Sequence, residues 1–207
     1  MKTTTLVVGS LEALREVLAS GGLVTLASGA DVVIVPTAAA FTGITEAAID
    51  LSTVFDDIDV KVEALMIAER ASCAEPYFAQ RIGQADLVVL GDGSALHAMS
   101  VWRGTPVGDA IRDTHQLIAV GSCASVLGEV MIDPRGGAPT TGLGYREGLA
   151  IGVQASDDQL ARTRALLGDE VTLAVLGPRG VVHFDGTKWS KASDDVIVTR
   201  AETEVAL

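Results

Sequence analysis

Cysteine, histidine, aromatic and basic residues are all scarce in this chain, and each shortage removes a class of function. Of 207 residues only 2 are cysteine, Cys73 and Cys123, and neither sits at metal-ligand spacing from other candidate ligands. Two thiols cannot build a disulfide scaffold, so a reducing, cytoplasmic setting is expected. Aromatics make up 4%, too few for the stacking platforms of single-strand binders. Lys+Arg number 15 against 27 Asp+Glu, and the resulting charge of -12 repels phosphate backbones and anionic lipid. Nucleic acid and membrane surfaces are therefore not expected partners. No stretch approaches the ~20 apolar residues of a membrane span, and the apolar run near Met1 is far shorter than a secretion signal requires.

What the chain does have is material for a core. Hydrophobic residues make up 48% and charged ones 20%, and the length suits one α/β domain over residues 1–207. Short β-branched runs end in turn residues at Leu6–Val8, Asp31–Val35, Val60–Ile67, Asp86–Leu90 and Gln116–Val120. Continuous apolar runs of this length read as strands buried on both faces. Between them lie amphipathic stretches of helical length: Leu11–Ala19, Ile44–Phe55, Pro76–Gln84, Ala95–Arg103 and Pro106–Asp113. The alternation predicts a doubly wound, mostly parallel, flavodoxin-like sheet. After a polar helix near Asp157–Leu167, the runs Val171–Leu176, Val181–Phe184 and Val196–Thr199 are separated by Gly177-Pro178 and Asp185-Gly186. They predict an antiparallel meander that finishes the sheet. The acidic run Asp56-Asp57-Ile58-Asp59 reads as a solvated loop.

In such a sheet, function gathers at the carboxyl ends of the strands. Gly121-Ser122-Cys123-Ala124-Ser125 places small residues two before and two after Cys123, the spacing of a nucleophile elbow. A helix start there would favour the thiolate. The same string also suits a buried cysteine in a tight turn, and the spacing leaves both readings open. Gly91-Asp92-Gly93-Ser94 is a second Gly-rich turn, whose amides could hold a carboxylate or an oxyanion beside Cys123. It lacks the G-x-G-x-x-G spacing of a dinucleotide site. Arg135, in the Pro/Gly-rich excursion Asp133–Gly144, is a candidate either for holding a substrate carboxylate or for pinning its own loop.

A cysteine hydrolase needs a proton acceptor, and the chain has 3 histidines. His115 starts the strand that ends near Cys123, and eight extended residues at ~3.3 Å put it roughly 26 Å away. His183 falls in the terminal meander, where a surface or edge-strand role is expected. His97, one turn into the helix after Gly93, is on the correct edge. It is the candidate substitute base, with a packing role as the alternative. Cys73 also follows a strand, without any spacing that marks it as a resolving thiol.

In order and spacing, Asp86–His97, Gly104-Thr105-Pro106, Gly121–Ser125, Met131–Ala138 and Gly142-Leu143-Gly144 resemble the cyanophycinase and dipeptidase E-type serine peptidases. Those proteins share the class I glutamine amidotransferase-like fold, and the resemblance runs from Asp31 to about Trp189. It implies cofactor-free hydrolysis of peptide or isopeptide bonds at acidic residues by a Ser nucleophile and a His base. The nucleophile position falls on Cys123, and the oxyanion amides fall on Asp92 or Gly93 together with Ala124, with Ser94 alongside. The family's Ser-Ala-Gly is Cys123-Ala124-Ser125 here, its paired glycines are Asp92 and Gly93, and its His is replaced by Gln154. Its acidic and Thr residues are missing from Leu176-Gly177-Pro178-Arg179.

A glutamine cannot take a proton from a thiol. Three functions follow as expectations: a Cys123-dependent hydrolase or acyl transferase acting on a small acidic peptide or isopeptide; a catalytically inactive scaffold that binds an amino-acid-like ligand; and a thiol sensor. The inactive scaffold could work as a homodimer or as a heteromer with an active relative.

Overall fold

The computed structural model describes residues 3–133, 135–201 and 203–207. The first half alternates as the periodicity predicts: β1 (Thr4–Val8), α1 (Leu11–Ser20), β2 (Ala30–Val35), α2 (Ile44–Ser52), β3 (Val60–Ala64), α3 (Pro76–Gln84), β4 (Leu87–Leu90), α4 (Ala95–Trp102), α5 (Pro106–Asp113) and β5 (Gln116–Val120). Local chemistry sets these boundaries. Ser10, Ser94 and Thr105 each accept a main-chain N–H three residues on, and Pro106 opens α5 where no intrahelical donor is needed. Gly21 ends α1 in the left-handed conformation.

The second half is β6 (Val130–Ile132), β7 (Pro139–Thr141), β8 (Ala150–Val153), α6 (Asp157–Leu166), β9 (Leu173–Leu176), β10 (Val181–Phe184), β11 (Trp189–Lys191), β12 (Val196–Arg200) and β13 (Thr203–Glu204). Two sheets form, ordered β11-β10-β1-β5-β4-β2-β3 and β13-β12-β9-β8-β6-β7. The five strands β1 to β5 are parallel to their neighbours, and β10 and β11 close one edge antiparallel. The antiparallel C-terminal strands are present but divided: β9 and β12 belong to the second sheet, β10 and β11 to the first. The four-residue turn Gly177–Gly180 carries the chain between sheets. It is fixed by the Asp195 carbonyl and carboxylate, which accept from Gly177 N and Arg179 N at 3.0 and 2.8 Å.

Alternate residues of the central strands enter different cores. Val33, Val88, Leu90 and Leu117 face a cluster shared with Ile82, Trp102 and Ile111, and with Met131, Ile151 and Leu176 of the second sheet. Val32, Ile34, Leu87 and Ile118 face a second cluster with Leu14 and Leu51. Burial on both faces explains why these strands read as unbroken apolar runs, each fully buried side chain contributing ~1.5–3 kcal/mol. A third cluster, around Leu160 of α6, covers the outer face of the second sheet. The Asp56–Asp59 run is an exposed loop, as expected. Among the described residues no helix is long and apolar enough to cross a membrane.

Candidate functional site

The carboxyl ends of β1, β4 and β5 converge with the end of β8. The chain leaves β5 through Gly121, whose φ of 61° lies in the left-handed region, and continues as a 3-10 helical stretch, Gly121–Leu127. Gly121, and not Cys123, is the vertex of this turn; among the described non-glycine residues only Gln154 and Ala201 have positive φ. A glycine adopts that conformation without the steric penalty of a side chain.

Cys123 is therefore turned inward. It is fully buried with Ala124, Val126 and Leu127 in the first core cluster. Burial pushes its thiol well above the ordinary range, and the negative charge of Asp92 adds to the shift. This corrects the expectation of a thiolate favoured by a helix start: loss of hydration disfavours the charged form more than a short 3-10 turn supports it. Cys73 is also free and buried, its Sγ directed to the Val101 carbonyl, and burial raises its thiol too.

Ser122, which the motif reading passed over, takes the outward position. It is partly exposed and lines a cavity of about 230 Å³ together with Ser125, Asp133, Val153, Gln154 and Gln159. A glycine at the strand end was the available signal, because in Gly-Ser-Cys-Ala-Ser it alone favours the vertex.

The Gly-rich turn after β4 meets this vertex directly. Oδ1 of Asp92 accepts the Gly93 N–H at 2.7 Å and the Ser122 N–H at 2.8 Å. Gly93 has φ 138°, and a Cβ there would lie 2.4 Å from the Ala38 carbonyl oxygen, so glycine is required. Ser94 and Ala124, also expected to bind an oxyanion, do not share this contact. Ser94 N donates to Ala38 O at 2.8 Å while Ser94 Oγ caps α4, and Ala124 is a core residue. The amides that converge on one oxygen are those of Gly93 and Ser122, the latter in place of Ala124.

The two side chains considered as base are both tied to main chain. His97 Nε2 donates to Ala68 O at 2.8 Å and its ring meets Phe41 edge-on at 4.5 Å, the packing alternative. Gln154 Nε2 donates to Gly9 O at 2.9 Å, and Gln154 N donates to Leu176 O at 2.9 Å. Gln154 has φ 48°, a conformation that costs ~1–2 kcal/mol in a non-glycine residue. Bonds at both ends of the residue hold it there, tying β8 to β1 and β9. Among the described residues no hydrogen bond links Cys123 to either side chain.

Arg135 closes on Asp133, with Nη2–Oδ2 2.8 Å and Nε–Oδ1 3.0 Å, and this holds the Asp133 carboxyl below its usual range. Of the two readings, the loop contact is the one formed. His115 is at the opposite strand end, where its carbonyl accepts Thr4 N. His183 pairs with Leu6 in β10, inside the outermost strand β11 rather than at the edge. No group of three or more potential metal ligands occurs among the described residues.

No protein-family model matches the chain, and no curated protein matches it in sequence. Solved structures do match. A peptidase from an acI-B1 Actinobacterium superposes with TM-score 0.77 over 100% of this chain and 94% of its own, at 17% identity. A Listeria monocytogenes EGD-e protein provisionally assigned as a peptidase E gives TM-score 0.64 over 97% and 99%, at 11% identity. The chain thus has the peptidase E-like fold that its strand-end motifs resemble.

Proposed function

We propose that this protein is a peptidase-like scaffold that no longer hydrolyses through Cys123 and works as a binding subunit. The observation that carries the reading is the burial of Cys123, with His97 and Gln154 both bonded to main-chain carbonyls. Nucleophilic catalysis needs the thiolate and a proton acceptor or donor within reach, and each is disfavoured here.

The cavity beside Ser122 fits an amino-acid-like ligand or the end of a small peptide. Its polar lining is Ser122, Ser125, Asp133, Gln154 and Gln159, and the neighbouring cation Arg135 is already paired. With Asp133 and Arg135 paired to each other, the remaining neutral lining favours an amide or hydroxyl group over a carboxylate, in contrast to the acidic peptide that the resemblance implies. Two reduced, buried cysteines accord with a cytoplasmic setting.

Incubation with Asp- and Glu-containing dipeptides tests the proposal. Amino-acid release no greater than in buffer is expected, from the natural protein and from Cys123→Ala alike. Turnover that disappears in Cys123→Ala would overturn it in favour of a cysteine hydrolase or acyl transferase. The thiol-sensor reading needs Cys123 to meet oxidant in the folded protein, so stoichiometric Cys123 oxidation by mild peroxide would favour it instead.

A further inference from the structure

Two main-chain N–H groups from the ends of different strands, aimed at one oxygen from 2.7 and 2.8 Å, have the geometry that stabilises a developing oxyanion. In this chain that oxygen belongs to the protein itself. Asp92 is exposed and could turn to solvent, yet its carboxylate lies back across the turn. A Cβ built on Gly121 would fall 2.1 Å from Asp92 Cγ and 2.2 and 2.4 Å from its two oxygens. The carboxylate thus fills the volume above the vertex where an elbow would carry its reacting side chain, and its Oδ1 takes the amides that would serve that side chain's substrate.

We infer that Asp92 is an autoinhibitory occupant: its carboxylate closes the Gly93/Ser122 amide pair to any outside anion. Charge-assisted bonds to two N–H groups outcompete a dilute external carboxylate, because Asp92 is tethered beside them at high effective concentration. The Asp92 charge also lies close enough to disfavour ionisation of Cys123, which places it over the same turn. Substitution of this one side chain is the step that opens the amides. Asp92→Gly does so while rebuilding the paired glycines that the resemblance leads one to expect. Asp92 occupies these amides whether or not hydrolysis has been lost.

Amide proton and nitrogen shifts of Gly93 and Ser122 provide the test, in the natural chain, Asp92→Gly and Asp92→Ala, titrated with sodium acetate against sodium chloride at equal ionic strength. In the natural chain both amide protons should lie downfield and ignore acetate. In both variants they should move upfield, and acetate but not chloride should return them saturably, with the remaining spectrum unchanged. Ser122 and Gly93 signals that stay in place when the carboxylate is removed would overturn the inference. So would variants that acetate fails to shift, or a natural chain that responds as the variants do. Asp92→Ala keeps the test decisive should a further glycine loosen the turn.

Discussion

The carboxylate of Asp92 occupies the space that a side chain at Gly121 would fill, and one of its oxygens accepts the Ser122 N–H at 2.8 Å. A vertex without a side chain and a neighbouring loop that supplies one in its place make this turn a closed structure. Substituting Gly121→Ala therefore sets a new Cβ against the carboxylate. Besides ~1–2 kcal/mol for a left-handed non-glycine residue, the variant should expel Asp92 from the amides. Its Ser122 amide proton should shift upfield as in Asp92→Ala; an unmoved Ser122 signal in a folded Gly121→Ala protein would contradict the packing described.

Gly93 is the stricter position. Its φ of 138° and a prospective Cβ contact of 2.4 Å with the Ala38 carbonyl leave no room for a methyl group. Gly93→Ala should cost at least ~1–3 kcal/mol of backbone strain, read as a lower urea midpoint. Gly22→Ala, where nothing lies within 4 Å of the added atom, is the control and should change little.

Arg146 is buried, with Nε on Thr5 Oγ1, Nη1 on the Arg112 and Tyr145 carbonyls, and Nη2 without a partner among the described residues. Burial pushes its guanidinium down to about 10. Arg146→Ala strands a buried hydroxyl and two carbonyls, and should lower unfolding free energy by about 3 kcal/mol. Chemical denaturation checks it: a loss within experimental scatter would mean that water replaces the side chain freely.

Burial raises both thiols above their unfolded value. An acid retained in the folded state binds more protons there than in the unfolded chain once pH passes about 8.5, so stability must fall as pH rises. It is fully present below that pH and declines as pH rises above it, by up to ~1.4 kcal/mol per pH unit for each thiol, until that thiol ionises in the folded protein. Removing one thiol as Cys123→Ala should make the decline shallower, whatever its effect at neutral pH. A slope unchanged by that substitution would contradict the assignment.

Much of the architecture was legible because the five parallel strands are buried on both faces, which imposes the unbroken runs Asp31–Val35, Leu87–Leu90 and Gln116–Val120. The second sheet was not legible. β6, β7 and β8 are three or four residues each, lie in a Gly- and Pro-rich stretch, and gain their strand character only from pairing with each other and with β9. The division of β9 from β10 depends on Asp195 fixing the Gly177–Gly180 turn, a contact across 16 residues.

At the site, residue type indicated two loops that meet, and left the register of the turn open. Every member of Gly-Ser-Cys-Ala-Ser is small, so spacing alone could not tell whether the turn bends at Gly121 or at Cys123. The bend at Gly121 sends Ser122 to the cavity and Cys123 to the core. For His97 the edge of the sheet was foreseen, while its main-chain partner at Ala68, like that of Gln154 at Gly9, is a long-range contact that no local signal announces.

The alkylation rate of Cys123 by iodoacetamide as a function of pH measures most directly whether this thiol is buried and protonated. In the folded protein Cys123 should react more slowly than free cysteine at every pH from about 6 to 9, and should reach the free rate only when urea unfolds the chain. Stoichiometric labelling near neutral pH at or above the free-cysteine rate would show an accessible thiolate and contradict it.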